Sequence, residues 1–237
     1  MPEARLSRRL NAAFLLVEGG KTLADIGTDH ALLPIALVKK GKVPFVIASD
    51  INPQPLEKAK ENIAREGLSD KIEVYLTDGA RGLEGRVEEI VIAGMGGELI
   101  ADIISDSPFL KDNRIHLVLQ PMTKIPVLRR WLWNNGFSVE REVYLEDMGH
   151  FYTVLSARFT GERCDYTELD AEIGKAENRK EITDREKEAL LGEINLKLFD
   201  LDNKIRGKKS AGIDTSSEES LRLLLCGAVE SLKGNNI

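Results

Sequence analysis

Apolar residues along the chain fall into two repeating patterns. Short, near-continuous runs occur at Leu23, Ala24 and Ile26, at Phe45-Val46-Ile47-Ala48, at Ile90-Val91-Ile92-Ala93 and at Leu117-Val118-Leu119. Another stretch, Lys71 to Thr77, alternates, with Ile72, Val74 and Leu76 on one face. Short apolar runs bounded by turn residues predict strands. The segments between them carry helical spacing. These are Leu32 to Val38, Asn52-Pro53 through about Glu66 with the stripe Leu56, Ala59 and Ile63, a helix from near Glu98, and Ile125 to Asn135. In the last of these, Val127, Leu128, Trp131 and Leu132 are expected to point inward, and Arg129 and Arg130 outward. Alternating strands and helices predict an α/β fold around a mostly parallel sheet. Phe137 to Tyr144 and Phe151 to Phe159 break the alternation, because only the polar link Glu146-Asp147-Met148-Gly149 joins them. They predict an antiparallel pair that completes a seven-stranded sheet. Ahead of the first strand, Leu6, Leu10, Phe14 and Val17 predict an amphipathic helix from about Ala4 to Glu18. Arg5, Arg8 and Arg9 fall mainly on its other face, as a solvated face or as a cluster that contacts phosphates.

The tail changes character after Glu162. Thr183-Asp184-Arg185-Glu186 reads as a capping box, and Leu191, Ile194, Leu198, Leu201 and Ile205 follow it at steps of a heptad seam. Gly207 to Asp214 interrupts the seam. Thr215-Ser216-Ser217-Glu218 reads as a second capping box, leading into Leu221, Leu225, Ala228 and Leu232. Two such helices predict an antiparallel, coiled-coil-like hairpin. The chain therefore divides into a domain over 1–160 and a helical hairpin over 161–237.

Composition narrows the classes. At 237 residues, with 42% hydrophobic and 30% charged residues, the chain is expected to be soluble and globular. No apolar run is long enough to span a bilayer, and Glu3 and Glu18 flank an N-terminal patch without a cleavage site, so no signal peptide is expected. Cys164 and Cys226 are too few and too far apart for a disulfide framework or a metal site, so the expected compartment is the cytoplasm and no metal is expected. A net charge of -6 argues against diffuse binding to nucleic acid, so an RNA partner would need a local basic patch.

Candidate chemistry collects where the strands end. The first strand runs into Asp25-Ile26-Gly27-Thr28-Asp29-His30 before a helix, and ligands of open α/β sheets bind at such carboxyl ends. Gly27 lets a ligand approach the backbone closely. The turn has neither G-x-G-x-x-G nor a P-loop, and Asp25 and Asp29 make it a poor cradle for pyrophosphate. A ligand with a ribose and a cationic group suits it better, and S-adenosylmethionine (SAM) meets that description. The plain alternative is a turn capped by Thr28 or Asp29. Asp50, next to Ile51 at the end of the second strand, is placed to take ribose hydroxyls, a device common to NAD and SAM enzymes. Asp78-Gly79 is either an acceptor for an adenine amine or an ordinary turn. Gly94-Met95-Gly96-Gly97 implies backbone passing close to something, and the D/N-P-P-Y of enzymes that methylate exocyclic base amines is absent there. Gln120 offers donors and acceptors at the same edge. The closing antiparallel pair marks a class I methyltransferase sheet, where a dinucleotide-binding domain would end in a parallel strand.

With Ala48-Ser49-Asp50-Ile51-Asn52, Leu119-Gln120-Pro121 and Phe151-Tyr152, the D-I-G-T-D-H turn and A-G-M-G-G resemble the TrmK family of bacterial tRNA (adenine-N1)-methyltransferases. The resemblance covers about Leu6 to Phe159. It implies a class I SAM-dependent methyltransferase domain with a C-terminal helical hairpin, acting on N1 of adenine 22 of tRNA. It implies that Asp25, Gly27, Thr28, Asp50, Ile51, Asp78, Gly79, Gly94, Met95 and Gly96 form the cofactor pocket. Asp29, His30 and Gln120 would face the target base, with Tyr152 stacking on it. Arg5, Arg8, Arg9, Lys124, Arg129 and Arg130 are the candidates for RNA contact, and no obligate protein partner is expected.

Overall fold

A computed structural model of the chain describes residues 6–179 and 181–234. Seven strands form one sheet: β1 (Leu23–Ile26), β2 (Val46–Asp50), β3 (Ile72–Leu76), β4 (Glu89–Gly96), β5 (His116–Thr123), β6 (Phe137–Asp147) and β7 (His150–Phe159). Their order is β3-β2-β1-β4-β5-β7-β6. The first five run parallel; β7 is antiparallel to both β5 and β6. The order reverses at β1, which pairs with β2 on one side and β4 on the other. That reversal opens a crevice above the carboxyl ends of β1 and β4.

Helices cover both faces. On one side lie α1 (Arg8–Leu16), α2 (Leu32–Lys39) and α3 (Pro53–Arg65), where Ala13, Leu37 and Ile63 pack with Val46, Val91 and Val118. On the other lie α4 (Gly97–Ser105) and α5 (Ile125–Asn134), where Ile100, Ile104, Leu128 and Leu132 pack with Ile90, Ile92, Leu117 and Leu119. The short runs of the inner strands read as continuous because both of their faces are covered. Ser7 caps α1 and Pro53 opens α3, each supplying what a helix start requires. Val127 is exposed rather than inward. The polar link expected at 146–149 contracts to Met148-Gly149, with Glu146 and Asp147 continuing β6.

The tail carries α6 (Glu168–Ile173), which the apolar pattern did not reveal, then α7 (Asp184–Ser210) and α8 (Ser216–Gly234). Thr183 and Glu186 form the expected capping box. Glu218 instead takes Lys204 and Lys208 of α7, at 2.9 and 2.6 Å. Leu190, rather than Leu191, is the fully buried start of the seam. Leu190, Ile194, Leu225 and Ala228 join Tyr144 and Ile173 in a third cluster against the sheet's outer hairpin. Contact there is close enough that a Cβ at Gly192 would lie 2.3 Å from the Phe151 ring.

Arg129 corrects the helix reading. It is fully buried and cannot contact RNA. Its Nε and Nη2 donate to Glu142 at 3.0 and 2.6 Å, and its Nη1 donates to the carbonyls of Ala171 and Glu172 at 2.9 and 3.0 Å. Burial works against the charge, but Glu142, Tyr144 and Glu193 together outweigh it and hold the guanidinium above its ordinary pKa. The Tyr144 hydroxyl completes the junction, 2.7 Å from Glu142 and 2.9 Å from the Ile173 carbonyl. Helical spacing could not show this, because the partner carboxylate arrives on another element.

At the amino ends of β4 and β5, the buried Glu89 bonds His116 Nδ1 at 2.6 Å and accepts from the backbone N–H of Glu18 at 2.7 Å. Glu18, His116 and Glu140 are the one grouping of metal-ligand types among the described residues. Arg158 already pairs with both of those carboxylates. No helix among the described residues is long and apolar enough to cross a membrane.

Candidate active site

The turn after β1 forms the floor of the crevice. Gly27 adopts φ +75, and its N–H and that of Thr28 both donate to the Ser49 carbonyl at 2.8 Å. The positive φ favours glycine, and a Cβ there would lie 2.1 Å from Met95 Cε, so the Met95 side chain sits directly on the bare Gly27 backbone. The neighbouring atom is the free end of a flexible thioether, which can swing aside and expose a hollow. Burial pushes the Asp25 carboxyl up to about 6; the nearby Thr28 hydroxyl opposes this and Asp50 adds to it. That hydroxyl is itself buried and makes no hydrogen bond of normal geometry among the described residues. Beyond Asp29, His30 and Ala31 both take left-handed conformations, with φ 58 and 55. Asn62 of α3 holds that turn by donating to the His30 carbonyl at 3.0 Å. Asp29 therefore stands out at the rim, its side chain 82% exposed, with His30 Nε2 at 3.1 Å from its carboxylate.

The neighbouring strand ends supply the walls. Asp50 closes β2 and accepts the Asn52 N–H at 2.7 Å, which orients its carboxylate; Ile51 beside it is exposed. Asp78 and Gly79 follow β3, where Asp78 is exposed and pairs with Arg81 at 3.3 Å. At the end of β4, Gly94 takes φ +83, and its N–H donates to Gln120 Oε1 at 3.1 Å. Gly96 is extended and leads directly into α4.

Gln120 is fully buried and its amide is engaged. Oε1 also accepts Arg9 Nη1 at 3.0 Å, and Nε2 donates to the Pro121 carbonyl at 3.1 Å. It holds other groups in place rather than meeting a base directly. Arg9 consequently reaches the crevice: α1 crosses the sheet and delivers its guanidinium beside Gly94, where a Cβ would lie 3.4 Å from Nη1. The sequence placed Arg9 on the polar face of α1, as a solvated residue or a phosphate contact. Its place at the crevice depends on α1 lying across β4, β5 and β7, which no local pattern specifies.

A family model described as a methyltransferase domain matches residues 6–155. The tRNA (adenine(22)-N(1))-methyltransferase of Bacillus subtilis (strain 168) is 37% identical over 175 residues, spanning 73% of this chain and 74% of the relative. The chain belongs to the tRNA (adenine(22)-N(1))-methyltransferase family. The crystal structure of the B. subtilis m1A22 tRNA methyltransferase TrmK matches 98% of this chain and 99% of its own, with TM-score 0.78 and 30% identity. Sp1610 of Streptococcus pneumoniae, solved in complex with S-adenosyl-L-methionine, matches 97% of this chain and 99% of its own, with TM-score 0.77 and 29% identity.

For a tRNA methyltransferase of this family, the structure sorts the remaining candidates unevenly. Tyr152 lies half-buried on β7 opposite Leu145, its ring 6.4 Å from that of His150. Lys124 is exposed, with φ 58, at the start of α5. Arg8 Nη1 donates to the Glu146 carbonyl at 3.0 Å, bracing the β6–β7 hairpin. Arg130 pairs with Glu168 and lies 3.4 Å from Glu172, so it serves the α5–α6 junction. Arg5 lies outside the described residues.

Proposed function

We propose that the chain transfers a methyl group from SAM to N1 of adenine 22 in tRNA, and that the crevice over β1 and β4 is where this occurs. The observation that carries the reading is the cradle at the sheet reversal: Gly27 beneath Met95, the buried and incompletely bonded Thr28 hydroxyl, and Asp25 and Asp50 at adjacent strand ends. These groups suit the cofactor. The buried Thr28 hydroxyl has only a loose contact with Asp25, which a polar ligand would complete, and buried polar groups are normally satisfied. Asp25 becomes a good anion when a cationic amino group replaces lost solvent. Asp50 takes ribose hydroxyls and Asp78 the adenine amine, with Gly79, Gly94, Met95 and Gly96 lining the pocket.

When bound, the cofactor supplies a methyl group on a sulfonium, ready for in-line displacement. Adenine N1 attacks through its own lone pair, so no residue must first remove a proton. Asp29 accepts a hydrogen bond from the exocyclic amine, which raises electron density at N1 and stabilises the cation that forms on the base. His30 steadies Asp29. Arg9, fixed by Gln120, turns its remaining N–H groups toward the phosphate of the target nucleotide. Tyr152 stacks on the base. A tRNA substrate places the activity in the cytoplasm, and the reading requires no protein partner and no metal.

The test is incubation with labelled SAM and unmodified bacterial tRNA transcripts, including one with adenine 22 replaced by guanine, followed by nucleoside analysis. The expected product is 1-methyladenosine, lost on that replacement. SAM binding without label in any RNA would overturn the tRNA reading in favour of a small-molecule acceptor.

A further inference from the structure

The tip of the β6–β7 hairpin holds Met148, a residue 91% exposed, more than any other large apolar residue described. The loop is two residues long, between paired Asp147 and His150. Met148 has φ 52 and Gly149 has φ 80. Two positive φ values in a two-residue hairpin suit Asn-Gly or Asp-Gly, because side chains other than Gly, Asn and Asp are strained there. A methionine therefore sits where both solvation and backbone conformation disfavour it, which points to a task at that position.

The tip is also held in place. The Arg8 N–H donates to Asp147 Oδ2 at 3.2 Å, its guanidinium bonds the Glu146 carbonyl, and the Gly149 N–H donates to Glu146 Oε1 at 2.7 Å. The neighbouring residue of α1, Arg9, reaches Gln120. Because β7 pairs antiparallel with β5 through Leu119 and Leu155, the residues from Val154 back to His150 extend past the level of Gln120. The hairpin thus stands at the carboxyl edge, beside the crevice. Val154 packs with the α1 layer, and Tyr152 and His150 follow it on the same face by strand alternation.

We propose that Met148 is a wedge: its side chain enters the RNA stack beside the target adenine and fills the space left when that base turns into the crevice. This rests on the tRNA reading above. Apolar side chains inserted between base steps are an established way to unstack a helix, and a base must leave its stack for chemistry at N1. Met148 is a positioning residue under this proposal, since it touches neither cofactor nor reacting atom.

The experiment compares wild-type protein with Met148→Asn and Met148→Leu on folded tRNA and on a short single-stranded RNA carrying the same adenine. Asparagine suits the turn better, so the melting temperature of Met148→Asn is expected to equal or exceed that of wild type, and a misfolded variant would be seen at once. On folded tRNA its kcat/KM is expected to fall at least about tenfold. On the single strand, and in KM for SAM, it is expected to match wild type, while Met148→Leu keeps most activity on both. A second readout places 2-aminopurine at the target position of folded tRNA. Wild type is expected to raise its fluorescence on binding, and Met148→Asn at saturation is not. Equal kcat/KM of wild type and Met148→Asn on folded tRNA, or an equal fluorescence rise, overturns the wedge alone. Wild-type protein that labels neither RNA overturns the wedge together with the tRNA reading.

Discussion

At the scale of single residues, Asp25 sets a pH dependence. Its carboxyl titrates near 6 in the folded chain against an ordinary 3.8. A raised carboxyl means the folded state binds more protons than the unfolded one between those values. Stability therefore falls as pH rises from about 4 to about 6, by on the order of 3 kcal/mol, and levels off above. Asp25→Asn should remove that slope in pH-dependent melting and leave the protein at least as stable at pH 7.5. SAM binding follows the opposite sense: a cationic amino group favours the ionised form, so affinity should weaken below about pH 6 in wild type and stay flat in the variant, as titration calorimetry would register. Asp29 is exposed, and among the described residues its side chain pairs with His30 alone, so Asp29→Ala should keep SAM affinity and lose about a hundredfold or more in single-turnover rate. An unchanged rate would remove it from the mechanism. Arg9 and Gln120 act as one unit. Arg9→Ala should lower kcat/KM for tRNA with SAM affinity intact; Gln120→Ala should lower it as well and, by releasing the Gly94 N–H, weaken SAM binding, and the double variant should lose little more than Gln120→Ala.

At the scale of elements, the junction of α5, β6 and α6 rests on a buried ion pair. Removing one partner leaves the other buried and uncompensated, so Arg129→Ala should cost about 3–5 kcal/mol in denaturant unfolding. Replacing both partners, Arg129→Met with Glu142→Leu, should cost clearly less than the two single changes together. Equal and additive losses would mean that the pair acts only by packing. The same junction explains why part of the tail could be read in advance and part could not. The Thr183–Glu186 box is a local signal and α7 begins where it lies. α6 is six residues long, too short for a periodic stripe, and its last carbonyls are held by Arg129 and Tyr144 from elsewhere in the chain.

At the scale of the whole molecule, we propose that residues 161–237 form a helical appendage that depends on the first domain for its place. The third apolar cluster joins Tyr144 and Phe151 of the sheet to Leu190, Ile194 and Leu225 of the tail. A chain ending at Thr160 would expose that face and strip Arg129 of two carbonyl acceptors. Its melting temperature should fall by about 5–10 °C or more, by calorimetry. An unshifted transition would mean that the two parts are energetically independent.

The strand–helix alternation, the closing antiparallel pair, the acidic turn with Gly27 and the two tail helices were written in local terms: period, turn residues and caps. Those signals act between neighbours in sequence, so the chain alone determined the fold class and the strand ends where we propose the site lies. The sheet order that sets β1 beside β4, the burial of Arg129 against Glu142, and the delivery of Arg9 to Gln120 needed the folded chain. Each joins residues far apart in sequence, and whether an arginine faces water, a carboxylate or a crevice depends on which element packs over it.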